Sequence, residues 1–206
     1  MTKKRYKFLI VIGALLILTA GGLKVYDMVQ DYMSGRSARL LLEQMRELPA
    51  SAPPSGDADS TAEVTVDASA EQKEIDSAQF AYDVIGILEI PELNLQLPVL
   101  SECTNSLLNV SVCRYMGSAE DKPERLIVAG HSYKSHFGNL TKLSVGDKVL
   151  FSSLSGAEYS YSVTAITVIA GNGHAALEQG EWDMTLFTCN FDGSKRVVVR
   201  CTEVQA

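Results

Sequence analysis

The stretch that most constrains the fold is TLFTCNFDGSKRVVVRC, residues 185–201. β-Branched and aromatic residues flank Asp192-Gly193, a dipeptide that tolerates positive φ at both positions of a two-residue hairpin turn. With those residues at the turn, Phe191 faces Ser194, Asn190 faces Lys195, Cys189 faces Arg196, Thr185 faces Arg200 and Met184 faces Cys201. Directly opposed side chains stand roughly 4.5–5.5 Å apart at Cβ, close enough for a guanidinium to favour a thiolate or to stabilise a developing oxyanion. The register singles out Cys189 and Arg196 as candidates for chemistry. Arg200 and Cys201 read as structural.

A hairpin needs further strands to bury its apolar face, and the sequence from about Phe80 supplies them. YDVIGILEIPELNLQLPVL alternates apolar and polar residues in short runs broken by Gly86, Pro91 and Pro98. ERLIVAGH, KVLFSS, AEYSYSVTAITVI, MTLFTC and RVVVRC follow at turn-marked intervals. Helical signal is confined to one short segment around TNSLLNVSVCRYM. This pattern predicts a single all-β barrel or sandwich. No fixed-period repeat and no glycine-rich phosphate loop is present.

The N-terminal part has a different logic. Phe8–Leu23 is an uncharged run of sixteen residues, extended past Lys24 by Val25 and Tyr26. As a helix of about 1.5 Å per residue it just spans a hydrocarbon core. The first seven residues carry four positive charges; the formal net charge of the chain is -7, leaving the remainder at -11. Basic before, acidic after, predicts a cytoplasmic N-terminus and an extracellular bulk, and disfavours nucleic acid as a partner. Cleavage at LTAGG as a signal peptide is the rival to a retained anchor. Both put the rest of the chain outside the cytoplasm.

The predicted organisation is a basic segment at 1–7, a transmembrane anchor at 8–26, a helical stalk at 27–48, a linker at 49–78 and a catalytic domain at 79–206. The stalk places Leu40, Leu41, Gln44, Met45 and Leu48 near one stripe. Pro49–Asp76 holds three prolines and seven acids against one lysine. Too little of it is apolar to order itself, so it reads as a flexible tether.

Among three histidines, His131 ends the apolar strand RLIVAGH, after a glycine that allows close backbone packing. A histidine at a strand end can exchange protons with a thiol and a leaving amine near neutral pH. His136 and His174 read as residues of solvated loops. Cysteine and histidine spacings fit no compact zinc site, and no G-x-S-x-G elbow occurs. Cys103 and Cys113 are placed either to pair or to remain as two buried thiols.

Four segments resemble the sortases, cysteine transpeptidases of Gram-positive cell surfaces. IGILEIPELNLQLPV is similar to the family's first strands with their Ile-Pro turn, and LIVAGHS to the segment bearing its histidine. FGNLTKLSVGDKVLF is similar to the Phe-x-x-Leu stretch leading to Gly-Asp and a strand, and TLFTC followed by RVVV to the Thr-Leu-x-Thr-Cys signature and its arginine. The resemblance implies a closed eight-stranded β-barrel with short helices. It implies Cys189 as nucleophile, His131 as proton donor and acceptor, Arg196 as stabiliser of the tetrahedral intermediate, and Thr188 as a shaper of the substrate site. The implied donor is a secreted protein with a Leu-Pro-x-Thr-Gly-like C-terminal signal, and the acceptor an amine of a peptidoglycan precursor or pilin. No cofactor and no metal is expected.

The sequence departs from common members. SECTNSLLNVSVCRYMGSAEDKPER stands where many carry a glycine-rich stretch. The lid motif and C-terminal membrane segment of the pilus-polymerising class are not found in it, so that class is not expected. The region 171–183 is short beside the class B insertion, which leaves signal choice and subclass open. Two other readings compete: a catalytically silent peptide-binding β-module, and a thiol hydrolase that releases its product to water.

Overall fold

The computed structural model describes residues 3–47, 82–120, 125–171, 173–189 and 194–204. The predicted linker 49–78 and residues 190–193, which include the predicted turn Asp192-Gly193, lie outside the described residues.

Eight strands close into a barrel: β1 (Val84–Ile90), β2 (Leu95–Leu100), β3 (Val112–Met116), β4 (Leu126–Gly130), β5 (Lys148–Ser153), β6 (Glu158–Ala170), β7 (Met184–Cys189) and β8 (Lys195–Glu203). Around the barrel they run β1-β2-β3-β4-β7-β8-β6-β5, with β5 returning to pair with β1. Closure gives each of the described strands a partner on both sides, which removes the free edges of an open sheet. The pairs β2·β3 and β4·β7 are parallel and the rest antiparallel.

Alternation explains the interior. Val84, Gly86, Leu88 and Ile90 of β1 are buried at period two; Leu88 and Ile90 join Val99, Leu126, Val128, Met184, Leu186 and Val199 in one core, while Val84 packs with Leu41, Leu100 and Cys113. All five residues of β4, LIVAG, are buried. Its second face is covered as well, because Ile127 and Ala129 pack under Phe187, Leu177 and Val198. The β1–β2 connection uses a 3-10 turn at Pro91–Leu93 that ends on Asn94 at φ 48, with Asn94 N–H donating to the Pro91 carbonyl at 2.9 Å. Asparagine is one of the few side chains that tolerates this left-handed region.

The segment read as helical divides in two. Only Asn105–Leu108 is helix (α2), capped by the Thr104 hydroxyl on Leu107 N–H, and the following residues form β3. That strand pairs with β2 at only two positions and is bulged against β4, so its pairing is set by neighbours rather than by its own pattern.

The N-terminal helix α1 (Lys3–Glu47) runs without a break through the predicted span and stalk. It is long and apolar enough to cross a membrane, and Leu15 to Leu18, Leu23 and Val25 are exposed. Its later turns pack on the barrel through Ser34, Ala38, Leu41 and Leu42, spaced for one helix face, with Met45 alongside. Leu40, expected on that stripe, is exposed.

Candidate active site

β4 ends at Gly130 because the backbone must pass close under Phe137: a Cβ at Gly130 would lie 2.6 Å from the Phe137 ring and 2.9 Å from Val112. The chain then turns through His131, and Phe137 N–H donates back to the His131 carbonyl at 3.1 Å. Gly138 closes the loop, with space for a Cβ taken by the Ser132 carbonyl at 2.3 Å. The His131 ring is half-buried beside Tyr133, centroids 4.9 Å apart. Burial holds its pKa below the ordinary 6.5.

β7 runs parallel to β4, pairing Ala129 with Phe187 and Gly130 with Thr188. The residues that follow this last pair are His131 and Cys189. On the other side β7 pairs with β8, and Cys189 stands opposite Arg196, Thr185 opposite Arg200 and Met184 opposite Cys201. This is the register that Asp192-Gly193 predicts. Three neighbouring strand termini therefore bring His131, Cys189 and Arg196 to one end of the barrel.

Arg196 is held on two sides. Its Nε donates to the Gly171 carbonyl at 2.8 Å, and its guanidinium lies over the Phe187 ring at 5.3 Å. Tyr115 meets the same ring edge-on at 5.2 Å. The stacked, hydrogen-bonded guanidinium has little freedom, which suits a group that must present charge to a developing oxyanion. Thr188 is buried, alternating with the core residues Met184 and Leu186.

The other candidates separate. Cys201 is sealed in the core, and burial pushes its thiol up to about 12, well away from thiolate chemistry. His136, expected in solvent, is fully buried between the β4–β5 loop and α1, and neither ring nitrogen has a hydrogen-bond partner among the described residues. The polar loop sequence hides this because α1, distant in the chain, supplies the cover. His174 opens a short helix, α3 (His174–Glu178). No cluster of metal-ligating residues occurs among the described residues.

Sequence reasoning gave Arg200 no specific task. Its guanidinium, almost fully buried, donates to the Thr185 hydroxyl and the Leu177 carbonyl at 2.7 Å each, and also to the Ala176 carbonyl. It thereby ties α3 and the β6–β7 connection to the outer face of β7. An arginine opposite a threonine was readable in the hairpin register; its carbonyl partners were not. Beside it opens a cavity of about 580 Å³ lined by Ile127, Leu177, Trp182, Thr185 and both Arg125 and Arg200. Thr185 precedes Cys189 by four residues on β7, roughly 13 Å along a strand. The cavity thus lies farther along the face that leads to Cys189.

Residues 88–204, more than half of the chain, match the family model of the sortase domain. Sortase A of Bacillus anthracis is 31% identical over 128 residues, covering 56% of this chain and 58% of that protein. The chain thus spans less than two thirds of that relative's length. Sortase C1 of GBS Pilus Island 1 superposes with a TM-score of 0.53 at 25% identity, over 60% of this chain and 66% of that one. A Clostridium perfringens sortase D5 transpeptidase shares the fold with a TM-score of 0.55 at 18% identity, over 84% of this chain and 99% of that one. These relatives carry the labels A, C1 and D5, so they identify a family and not a class within it.

Proposed function

The chain belongs to the sortase family, and on that premise we propose that it is a membrane-anchored cysteine transpeptidase acting through a thioester. The observation that supports this reading most is the shared terminus of β4, β7 and β8, where His131 and Cys189 follow the Gly130–Thr188 pair and Arg196 opposes Cys189.

In the proposed reaction the Cys189 thiolate attacks the threonine carbonyl of a Leu-Pro-x-Thr-Gly-like signal on a secreted protein. Negative charge gathers on the carbonyl oxygen, and Arg196, fixed by Gly171 and Phe187, offsets it. His131 gives a proton to the departing glycine amine as the C–N bond breaks, leaving an acyl thioester on Cys189. An amine of the cell wall then attacks the thioester, loses its proton to His131 and releases the thiolate. Burial disfavours the imidazolium form of His131. Only a minor share of the resting protein then carries the thiolate–imidazolium pair that the first step needs.

The apolar part of α1 is read as the anchor, with the N-terminus in the cytoplasm and the barrel outside. Partners are accordingly the membrane, secreted proteins with a C-terminal signal, and a peptidoglycan precursor or other amine acceptor. The test is to incubate the full chain, in detergent micelles, with a sorting-signal peptide at increasing concentrations of an oligoglycine amine. A transpeptidase forms ligated product at the expense of hydrolysed product as the amine rises. Binding of peptide with neither product would favour a silent module, and hydrolysis unaffected by amine would favour a hydrolase.

A further inference from the structure

Two of the remaining cysteines share one apolar cluster. Cys113, second residue of β3, is fully buried with Leu100, Val84 and Leu41, and Cys103 packs against the same group while half-buried. β2 pairs Leu100 with Cys113, and the chain then folds back, with the Ser101 carbonyl taking a hydrogen bond from Arg114 Nε at 3.1 Å. This return brings the Cys103 thiol into side-chain contact with that of Cys113, and both are unbonded.

The contact is unequal. Hydrogen bonding from Cys113 lowers the pKa of the Cys103 thiol, whereas that bond, and then burial, raises that of Cys113. A half-buried thiol whose ionisation is favoured, packed in one cluster with a fully buried thiol, is the arrangement of an attacking and a resolving cysteine.

We propose that Cys103 and Cys113 are a redox site that closes a reversible disulfide, with an external disulfide compound as oxidant. Cys103 thiolate attacks one sulfur of the oxidant, whose S–S bond breaks to release one thiolate and leave a mixed disulfide on Cys103. Cys113 passes its proton to the released thiolate, attacks the Cys103 sulfur and expels the second small thiolate, which takes from solvent the proton that Cys103 had given up. Two protein thiols and one oxidant disulfide become one protein disulfide and two small thiols, with two electrons passing to the oxidant. A chain segment outside the cytoplasm meets such oxidants without competing cytosolic reductants.

The bond would act on a wall of side chains beside the candidate site. Cys103 and Leu108 also pack against Ile127, Ala129, Phe187 and Val198, the outer layer of β4, β7 and β8. Closing the bond pins the segment holding α2 to β3 and stiffens that wall. The chemistry needs only these two residues, so it stands or falls apart from the transpeptidase reading.

The test uses the full chain carrying Cys189→Ala, in detergent micelles, treated under native conditions with oxidised glutathione and then alkylated and mapped by mass spectrometry. The expected result is a Cys103–Cys113 cross-linked peptide, loss of alkylation at both residues, and recovery of both on reduction. A Cys113→Ser version is expected to stop at a glutathione adduct on Cys103. Closure is expected to slow amide exchange across residues 104–111 roughly tenfold and to raise Tm by about 5 °C. Full alkylation of both cysteines after oxidant, or cross-linking to Cys201 instead, overturns the proposal. If Cys113→Ser fails to fold, the mapping of the parent chain decides alone.

Discussion

Asp31 of the long N-terminal helix accepts two hydrogen bonds from Ser135 of the loop that follows β4, from the backbone N–H at 2.9 Å and from the hydroxyl at 2.6 Å. Gly35, one turn on, lies so close that a Cβ there would come within 2.8 Å of Ser135 Cβ. The loop so held begins at His131. With residues 8–26 in the bilayer as proposed, Asp31 stands five residues beyond the span, roughly 8 Å along a helix. The helix read as the anchor also holds the loop that begins at the candidate proton donor.

Asp31→Ala should therefore loosen the loop as well as the helix. It leaves the half-buried Ser135 N–H without its acceptor and removes a charge-assisted pair, a loss of about 1–3 kcal/mol. The expected outcome is a lower Tm together with faster amide exchange across residues 132–138. Unchanged exchange there would mean the helix contact does not hold the loop.

His136 predicts a pH dependence of stability. Burial, and then the neighbouring His131, lower its pKa from 6.5 to about 4, against the opposing pull of Asp31 and the Ser34 backbone. The unfolded chain thus takes up the proton first. Stability from the neutral ring is complete above pH 6.5 and is lost as pH falls towards 4, by about 3 kcal/mol for this one group. Thermal melts of the parent and of His136→Phe at pH 7 and pH 4.5 check this. The variant, which also removes two unpartnered ring nitrogens, should lose less stability between the two pH values; an equal loss would contradict the assignment.

For His131 the same physics acts on activity. Its ring is expected to titrate below 6.5 by NMR in the full chain with Cys189→Ala, because burial disfavours the imidazolium. A midpoint at or above 6.5 would point to an acidic partner for the ring and to a larger share of the reactive ion pair.

Arg196→Ala should lower kcat by about 10²–10³-fold, the usual loss on removing one oxyanion donor. Arg196→Lys should recover little of it. A lysine lacks the planar fork that reaches the Gly171 carbonyl while lying over Phe187. Full rescue by lysine would reduce the role of Arg196 to positive charge alone.

Much of this was legible because it is local. The pairing of Cys189 with Arg196 is the one expected from a two-residue turn at Asp192-Gly193, and the close passage of Phe137 under Gly130 is signalled by a glycine before a strand-end histidine. What escaped was contact between parts far apart in the chain. β3 was hidden within an apparent helix because its partners, β2 and β4, define it. His136 read as solvated because its cover comes from α1, about a hundred residues earlier. Arg200 read as a plain structural residue, since backbone carbonyls, its partners in the β6–β7 connection, leave no mark on sequence. Cys103 and Cys113 could be named as neighbours, but their unequal environments depend on burial that only the closed barrel defines.

The most direct measurement is intact-mass and peptide-mapping mass spectrometry of the full chain after brief incubation with a library of sorting-signal peptides. The account predicts a thioester-linked acyl adduct on Cys189, released by an added amine and missing in Cys189→Ala. An adduct on Cys201 or Cys103, or undiminished peptide cleavage by Cys189→Ala, would contradict it.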